Sequence, residues 1–259
     1  MKAAVLDING KLSVEEVPVP EIPEYGALVQ ILYGSTCAGT DARLMMKGHP
    51  NPVHYPSVLG HESVGRVIKM DKKVRNYQIG DLISRVGTIP VGDLGVCWGG
   101  FAQYGIALDW KAMQEDGIPA EKWVKNRVNK VIPDDIDAKT GPMIITWRET
   151  LSYVNRLGVK KGDQVLVTGS GANALAFVAH CVYAGCRVAV IGSEKRNPDA
   201  VRLGAVLALD YKQTDLSEKV REAFPDGIDY IIDGVGADRN VNMALPYLNE
   251  GATVGVYGW

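Results

Sequence analysis

The pattern of apolar and polar positions changes midway along the 259-residue chain. In the first half, short β-branched and apolar runs are separated by proline and glycine, which is typical of strands joined by tight turns. The pattern predicts strands at Ala3–Leu6, Leu12–Val17, Ala27–Tyr33, Ser63–Met70 and Leu82–Val86. We therefore expect a small, barrel-like β body, followed by a helical elaboration over Trp110–Lys130.

In the second half, strand-length apolar runs alternate with helical stretches. Strands are predicted at Gln164–Thr168, Arg187–Ile191, Val206–Leu209, Asp229–Ile232 and Thr253–Tyr257. Helices are predicted at Asn173–Ala184, Pro198–Leu203, Leu216–Phe224 and Arg239–Leu248. This alternation is typical of a doubly wound parallel sheet, which in full has about six strands. We expect domains 1–140 and 141–259, the second truncated after its fifth strand.

Composition and charge exclude several classes of protein. Hydrophobic residues make up 46% and charged residues 22%, which is ordinary for a globular protein. A net charge of −2 gives no basic surface for nucleic acid or anionic lipid. His180 and Arg187 interrupt the longest apolar stretch, which argues against a membrane span, and the four cysteines show no paired spacing. We expect a cytoplasmic protein that is a candidate homo-oligomer.

The most specific motif follows the first strand of the second half. There, Val165-Leu-Val-Thr-Gly169-Ser-Gly171-Ala-Asn-Ala174 has the form G-x-G-x-x-A and leads into a predicted helix. In such a turn the glycines allow a tight bend and a close approach of the backbone to a pyrophosphate. The helix N terminus adds free N–H groups and a positive dipole. The predicted cofactor-binding residues here are Gly169, Ser170, Gly171, Ala172, Asn173 and Ala174.

The end of the next strand indicates which dinucleotide fits. NAD-type sites place Asp or Glu there to bind the ribose 2′-hydroxyl, whereas this chain has Gly192. Ser193, Lys195 and Arg196 follow, and they offer hydrogen bonds and positive charge to a 2′-phosphate. The sequence favours NADP, while an inward-facing Glu194 would allow NAD.

A collinear series of motifs resembles the medium-chain dehydrogenase/reductase superfamily, which includes the zinc-type alcohol dehydrogenases. The matching segments are MKAAVL, Val14-Glu-Glu-Val-Pro-Val-Pro20, Cys37-Ala-Gly-Thr-Asp41, Gly60-His-Glu-Ser-Val-Gly-Arg-Val67, Ile79-Gly-Asp-Leu-Ile83, Gly99-Gly-Phe-Ala-Gln-Tyr104 and Gly158-Val-Lys-Lys-Gly-Asp-Gln-Val165. The resemblance implies an α/β protein with a GroES-like β-barrel catalytic domain and a Rossmann domain. It also implies hydride transfer between a nicotinamide cofactor and an alcohol, aldehyde or ketone.

The resemblance also implies roles for single residues. Cys37 and His61 are the implied zinc ligands, and Glu62 is a carboxylate that either binds or tunes the metal. Thr40 would relay a proton between substrate and solvent, because a hydroxyl both donates and accepts. Asp41 would keep the ligands oriented. Cys37, Thr40 and His61 are thus the candidate catalytic residues.

The loop around Cys37 departs from the family pattern, which usually reads Cys-x-Ser/Thr-Asp. Here two residues separate Cys37 from Thr40, so counting back from Thr40 places Ala38 in the ligand position. Counting forward from the preceding strand favours Cys37 instead. The residues leave both assignments open, and with them the presence of catalytic zinc.

Two further metal positions differ from the family. The third ligand usually falls near Ile145 and Thr146, and Glu149 is the nearest carboxylate. The four-cysteine lobe that binds structural zinc in many relatives is reduced to Cys97, so we expect no structural zinc.

The other histidines and several aromatic residues have structural interpretations. We expect His49 and His54 on the surface and His180 packed within a helix. Three aromatic residues either shape an apolar pocket or, as we favour, pack in the core: Trp98, Tyr104 and Trp147.

Two other functions remain open. One is a zinc-independent quinone or enoyl reductase of the same superfamily. The other is a catalytically silent nucleotide-binding fragment, suggested by the expected truncation of the second domain. The sequence does not identify the substrate, because fold alone does not determine function.

Overall fold

Two structural units follow each other along the chain in the computed structural model, which describes residues 1–46, Gly48 and residues 52–258. The first unit is Met1–Ile145, and the second begins at Thr146. The boundary predicted from the sequence falls after residue 140. His49 lies outside the described residues.

Two four-stranded sheets form the first unit. Their strands are β1 (Lys2–Leu6), β2 (Leu12–Glu16), β3 (Gly26–Ser35), β4 (Ser57–Val58), β5 (Glu62–Met70), β6 (Leu82–Ser84), β7 (Gly95–Val96) and β8 (Tyr104–Leu108). The sheet orders are β2-β1-β4-β7 and β6-β5-β3-β8. The segment before β8 joins the two sheets, because Phe101 O accepts from Ala4 N and Gln103 O accepts from Ile31 N. All five predicted strands are confirmed. The sequence did not predict β4, β7 or β8.

The described helices of the first unit are short. They are α1 (Ala38–Met45), α2 (Trp110–Glu115), α3 (Ala120–Trp123) and a 3₁₀ helix at Val124–Val128. The last three confirm the predicted helical elaboration. The sequence did not predict α1, since Gly39 and Thr40 in its first turn are weak helix formers. Asp41 stabilises that turn by accepting a hydrogen bond from Cys37 N at 2.9 Å.

The second unit is built on a parallel five-stranded sheet. Its strands are β9 (Gln164–Thr168), β10 (Arg187–Gly192), β11 (Leu207–Asp210), β12 (Ile228–Asp233) and β13 (Leu248–Val256), in the order β11-β10-β9-β12-β13. Its later helices are α5 (Ala172–Tyr183), α6 (Asn197–Arg202), α7 (Leu216–Ala223) and α8 (Asp238–Ala244), with 3₁₀ turns at Glu194–Arg196 and Leu245–Tyr247. The predicted strand–helix alternation is confirmed. The chain reverses its direction of winding between β9 and β12, where such sheets bind ligands.

Both faces of this sheet are buried. Val165 and Val167 of β9 pack in one apolar cluster with Phe177, whereas Leu166 between them packs in another with Phe224. Burial on both faces explains why the strands are nearly continuous apolar runs.

A long helix, α4 (Met143–Leu157), was not predicted from the sequence. Its buried face carries Thr146, Thr150 and Val154 at helical spacing. Threonine and valine are weak helix formers, which hides the helical pattern. The Thr150 hydroxyl is satisfied within the helix, since it donates to Thr146 O at 2.7 Å. No described helix is long and apolar enough to cross a membrane.

Candidate functional site

Three potential metal ligands meet where β3 ends and β5 begins. The sulfur of Cys37, a ring nitrogen of His61 and a carboxylate oxygen of Glu62 all lie within 4.8 Å of one another. We call these three residues the donor cluster. The structure therefore brings the thiol of Cys37 to the predicted centre, despite the unusual spacing between Cys37 and Thr40.

Strand pairing explains why residues distant in sequence meet here. Ser35, the last residue of β3, pairs with Glu62, the first residue of β5. Cys37 follows two residues after Ser35, and His61 immediately precedes Glu62. Gly60 turns the chain into β5 with a φ of +106°, and a Cβ there would meet the Phe101 backbone, so glycine is required.

Asp41 faces the second nitrogen of the His61 ring. Asp41 Oδ1 lies 3.6 Å from His61 Nδ1. Within the described residues, both atoms are buried without a hydrogen-bond partner. The contact orients the imidazole so that Nε2 is the nitrogen left for the donor cluster. Asp41 therefore occupies the orienting position implied by the resemblance.

The electrostatics of the donor cluster raise the pKa of His61 and lower the pKa of Cys37. Burial lowers the pKa of His61, but the adjacent Asp41 carboxylate and Cys37 sulfur outweigh this effect and raise the pKa to about 9. The hydrogen bond with His61 lowers the pKa of Cys37, against the opposing effect of burial. A metal ion binding here must therefore displace the proton from His61.

The donor set fits a zinc ion. Thiolate, imidazole and carboxylate are ligands that zinc accepts, and catalytic zinc sites commonly use three protein ligands. The Asp41 carboxylate lies 3.6 Å from His61 Nδ1, and a carboxylate beside the second ring nitrogen is typical of metal-ligating histidines. The three residues could thus hold a metal ion.

The carboxylate that lies beside Cys37 and His61 is not at the position expected near the domain boundary. Ile145 and Thr146 are buried residues of α4, and the Ile145 side chain offers no donor atom. Glu149 is exposed and is not part of the donor cluster. Glu62 is the carboxylate that lies beside Cys37 and His61.

Thr40 also lies at this centre. Its Oγ1 is 3.7 Å from Cys37 Sγ, and its side chain is half-buried. A hydroxyl at the border between the donor cluster and solvent has the placement that a proton relay requires.

The aromatic residues assigned to the core are distributed differently. Trp98 and Trp147 are 39% and 42% exposed, so for both the core-packing prediction is wrong. The Trp98 ring lies against His61, with ring centroids 5.1 Å apart. Trp147 instead packs edge-on to His180, and Tyr104 is half-buried in β8.

The other described histidines are structural, as predicted. His180 is buried in α5, and its Nε2 is 3.1 Å from both Thr150 Oγ1 and Trp147 O. His54 is near the surface, where its Nε2 lies 3.0 Å from Asp93 O. Cys97 packs in an apolar cluster with Leu59.

The glycine-rich turn after β9 has the space that a pyrophosphate needs. Gly169 turns the chain with a φ of +108°. Gly171 caps α5, and a Cβ added there would meet no atom within 4 Å. Ser170 lies between these glycines, and Ala172, Asn173 and Ala174 form the first turn of α5. Open space in front of a helix N terminus fits a bound phosphate group.

The end of β10 excludes a side chain at the position that is acidic in NAD-type sites. A Cβ on Gly192 would lie 2.7 Å from Ser170 Cβ. The hydroxyl of Ser170 accepts from Ser193 N at 3.0 Å, and the two serine hydroxyls are also 3.0 Å apart. Ser170 therefore occupies the space beside Gly192 and fixes the backbone of Ser193.

The charged residues that follow lie on the surface. Glu194, Lys195 and Arg196 form an exposed 3₁₀ turn. Arg196 forms an ion pair with Asp199 at 3.4 Å, and Arg202 binds the same carboxylate at 2.8 Å. A 2′-phosphate would therefore compete with Asp199 for Arg196.

Asp233, a buried carboxylate, was missed by the sequence analysis. It ends β12 beside Thr168, whose hydroxyl donates to it at 2.6 Å. The N–H groups of Val235 and Gly236 also donate to the carboxylate, which fixes the loop next to Gly169. One sequence feature could have identified Asp233: it is an acidic residue at the end of an apolar strand, where the winding of the sheet reverses.

Each of the two structural units contains a segment that matches a known protein family. Residues 24–116 match the family model of the alcohol dehydrogenase GroES-like domain, and residues 173–259 match that of the zinc-binding dehydrogenase. The chain belongs to the zinc-type alcohol dehydrogenase-like branch of the medium-chain dehydrogenase/reductase superfamily. The predicted α/β class, with a GroES-like domain followed by a five-stranded Rossmann sheet, is confirmed.

Three relatives of this superfamily member carry the names of dehydrogenases. The chain is 27% identical over 249 residues to an L-threonine 3-dehydrogenase from Shewanella pealeana, covering 94% of this chain and 72% of that protein. A zinc-binding dehydrogenase family protein from Sinorhizobium meliloti, solved with NADP, superposes with a TM-score of 0.81 at 24% identity, covering 99% of this chain and 76% of the other. Benzyl alcohol dehydrogenase from Acinetobacter calcoaceticus superposes with a TM-score of 0.81 at 16% identity, with coverage of 99% and 76%.

Proposed function

We propose that this chain is an NAD(P)-dependent oxidoreductase that transfers a hydride between the nicotinamide and the carbon of a small alcohol, aldehyde or ketone. The donor cluster of Cys37, His61 and Glu62 is the observation that carries the proposal. Family membership supports it, and so do the names of the relatives, which include threonine and benzyl alcohol dehydrogenases.

The donor cluster would hold zinc, with Cys37, His61 and Glu62 as ligands. When bound, zinc supplies a Lewis acid that stabilises the alkoxide of the reacting substrate. The Asp41 carboxylate, 3.6 Å from His61 Nδ1, would hold the ring in orientation. Thr40 Oγ1 accepts the proton of the substrate hydroxyl and passes its own to solvent, which its half-buried position allows.

The turn from Gly169 to Ala174 would bind the cofactor pyrophosphate through the N–H groups at the start of α5. Ser193, Lys195 and Arg196 would bind a 2′-phosphate, which makes NADP the preferred cofactor. The close contact between Gly192 and Ser170 supports this preference, because it leaves no room for an acidic side chain that would repel the phosphate.

A zinc-independent quinone or enoyl reductase is the second candidate. It is favoured by Ile145 and Thr146, which supply no metal ligand at the position usual for the family's zinc enzymes. In that case Cys37 and His61 would form a hydrogen-bonded pair without a metal.

Metal analysis combined with a substrate screen distinguishes these candidates. The proposal predicts about one zinc ion per chain and NADPH-dependent turnover of aldehydes, ketones or alcohols that a chelator abolishes. Turnover of quinones or enones that survives chelation, in protein without zinc, would support the second candidate. NADPH binding without turnover of any substrate would instead indicate a catalytically silent protein.

A further inference from the structure

Trp98 borders the donor cluster without being a potential ligand. Its indole ring is tilted by 55° to the His61 imidazole, with the centroids 5.1 Å apart. Trp98 is 39% exposed, an unusual amount for so large an apolar residue next to a buried histidine. A substrate oxygen beside His61 would place its attached carbon substituents within reach of this ring.

The backbone of Trp98 is held in a conformation that bulky residues rarely adopt. Its φ is +66°, in the left-handed region. On one side, Cys97 donates its N–H to Val58 O at 2.8 Å; on the other, Gly99 O accepts from Thr88 N at 3.0 Å. Such strain persists only where the surrounding structure fixes it, and it is concentrated at functional sites.

Close packing against Gly87 fixes the same segment. A Cβ at Gly87 would overlap the carbonyl oxygen of Trp98, so only glycine permits this approach. Cys97 points into the apolar cluster with Leu44 and Leu59, while its neighbour Trp98 lies against His61. The strained backbone of Trp98 thus places its indole beside the donor cluster.

The exposed face of this indole is apolar. A neutral alkyl or aryl group on a substrate would therefore gain by covering it.

We propose that Trp98 is a specificity-determining residue, which forms the wall for a neutral alkyl or aryl substituent on the reacting carbon. The inference rests on the proposed function, because it assumes that the substrate oxygen binds at the donor cluster. It narrows the substrate class to alcohols and carbonyl compounds that carry a neutral alkyl or aryl group on the reacting carbon.

The test compares imidazole with 4-phenylimidazole, two azoles that bind metals and differ by one aryl group. Both are titrated into the cobalt-loaded full-length protein, and binding is followed by the visible absorption of cobalt. In the wild type we expect 4-phenylimidazole to bind more tightly. In Trp98→Ala this advantage should fall by about tenfold while the affinity for imidazole is unchanged, since an apolar contact of this size discriminates by that order.

Matched variants separate the role of Trp98 from a general loss of structure. Trp98→Phe should keep most of the aryl advantage, because it keeps an apolar ring. Trp110→Ala removes an indole that is stacked on Trp123 in α3, and it should leave the advantage unchanged. With turnover substrates, Trp98→Ala should raise the KM for benzyl alcohol about tenfold, with little change in kcat and little effect on ethanol.

An unchanged aryl advantage in Trp98→Ala, with normal cobalt absorption, would overturn the inference and leave the proposed function intact. A protein that shows no cobalt absorption at all would contradict the proposed function, and the inference with it.

Discussion

The two candidate sites are built from different materials. The donor cluster in the first unit consists of side-chain atoms that two paired strand ends and the start of α1 bring together. The turn at Gly169–Ala174 in the second unit consists of backbone N–H groups, open space and the end of a helix. The donor cluster depends on single side-chain donor atoms. The glycine turn depends on space that a side chain would otherwise fill. Substitutions should therefore damage them in opposite ways.

The largest effect is expected from removing one donor atom. Cys37→Ala should abolish stoichiometric metal binding and reduce kcat/KM by about 10²–10³-fold, the scale of losing direct stabilisation of transition-state charge. Zinc analysis and steady-state kinetics measure both effects. Cys97→Ala is the matched control. Cys97 packs among apolar residues, so this variant should still bind zinc. Retention of zinc by Cys37→Ala would contradict the ligand assignment.

Adding atoms should damage the second site. Gly171→Val fills open space at the start of α5, so the thermal midpoint should change little while the Kd for NADPH rises by about 100-fold through lost charge-assisted hydrogen bonds. Gly169→Ala is the contrasting variant. Its Cβ meets Val235 at 2.9 Å with a φ of +108°, so it should lower the thermal midpoint itself. Normal NADPH affinity in Gly171→Val would show that the phosphates bind elsewhere.

Asp41→Asn tests the contact that orients His61. It should weaken zinc affinity by about 10–100-fold without abolishing binding, as expected for a group that acts through a ligand. Competition with a chelator of known affinity gives the value. A zinc affinity equal to that of the wild type would show that Asp41 does not orient His61 for metal binding.

Arg196→Ala tests the binding of the 2′-phosphate. The KM for NADPH should rise by about tenfold, with no change for NADH, because one charge-assisted hydrogen bond is lost. Arg202→Ala is the matched control, since Arg202 binds the same Asp199 carboxylate. Equal effects on both cofactors would argue against the preference for NADP.

The smallest effect concerns thiol reactivity in the metal-free protein. The pKa of Cys37 is lowered by His61, whereas burial raises the pKa of Cys186 to about 11 and that of Cys181 to about 12. Cys37 should keep its thiolate as the pH falls through the range in which an ordinary thiol is protonated. Iodoacetamide at pH 7 should label Cys37 several-fold faster than Cys186, and His61→Gln should slow that labelling. Peptide mass spectrometry measures the labelling rate of each cysteine. Faster labelling of Cys186 than of Cys37 would contradict the pairing of Cys37 with His61.

The same contrast explains what the sequence could predict. The strands β9 to β13 and the turn at Gly169 follow from local patterns, since a buried parallel strand and a glycine turn each have a characteristic sequence. Whether Cys37 or Ala38 reaches the donor cluster depended on the pairing of Ser35 with Glu62, which no local pattern contains. Trp98 is likewise placed by its close approach to Gly87 and its strained backbone.

Helix α4 and Asp233 show two other limits. Threonine and β-branched residues on the buried face of α4 obscured a helix that packing stabilises. Asp233 is acidic and fully buried, so an apolar pattern could only place it at the end of its strand. Its hydrogen bonds to the neighbouring loop become visible only when the strands are assembled.

X-ray absorption at the zinc edge tests the central claim most directly, because it counts the atoms bound to the metal. The account predicts one sulfur ligand at about 2.3 Å and nitrogen or oxygen ligands at about 2.0–2.2 Å. The sulfur signal should disappear in Cys37→Ser and persist in Cys97→Ser. Zinc without a sulfur ligand in the wild-type protein, or with two or more, would contradict the assignment of Cys37, His61 and Glu62 as the metal-binding residues.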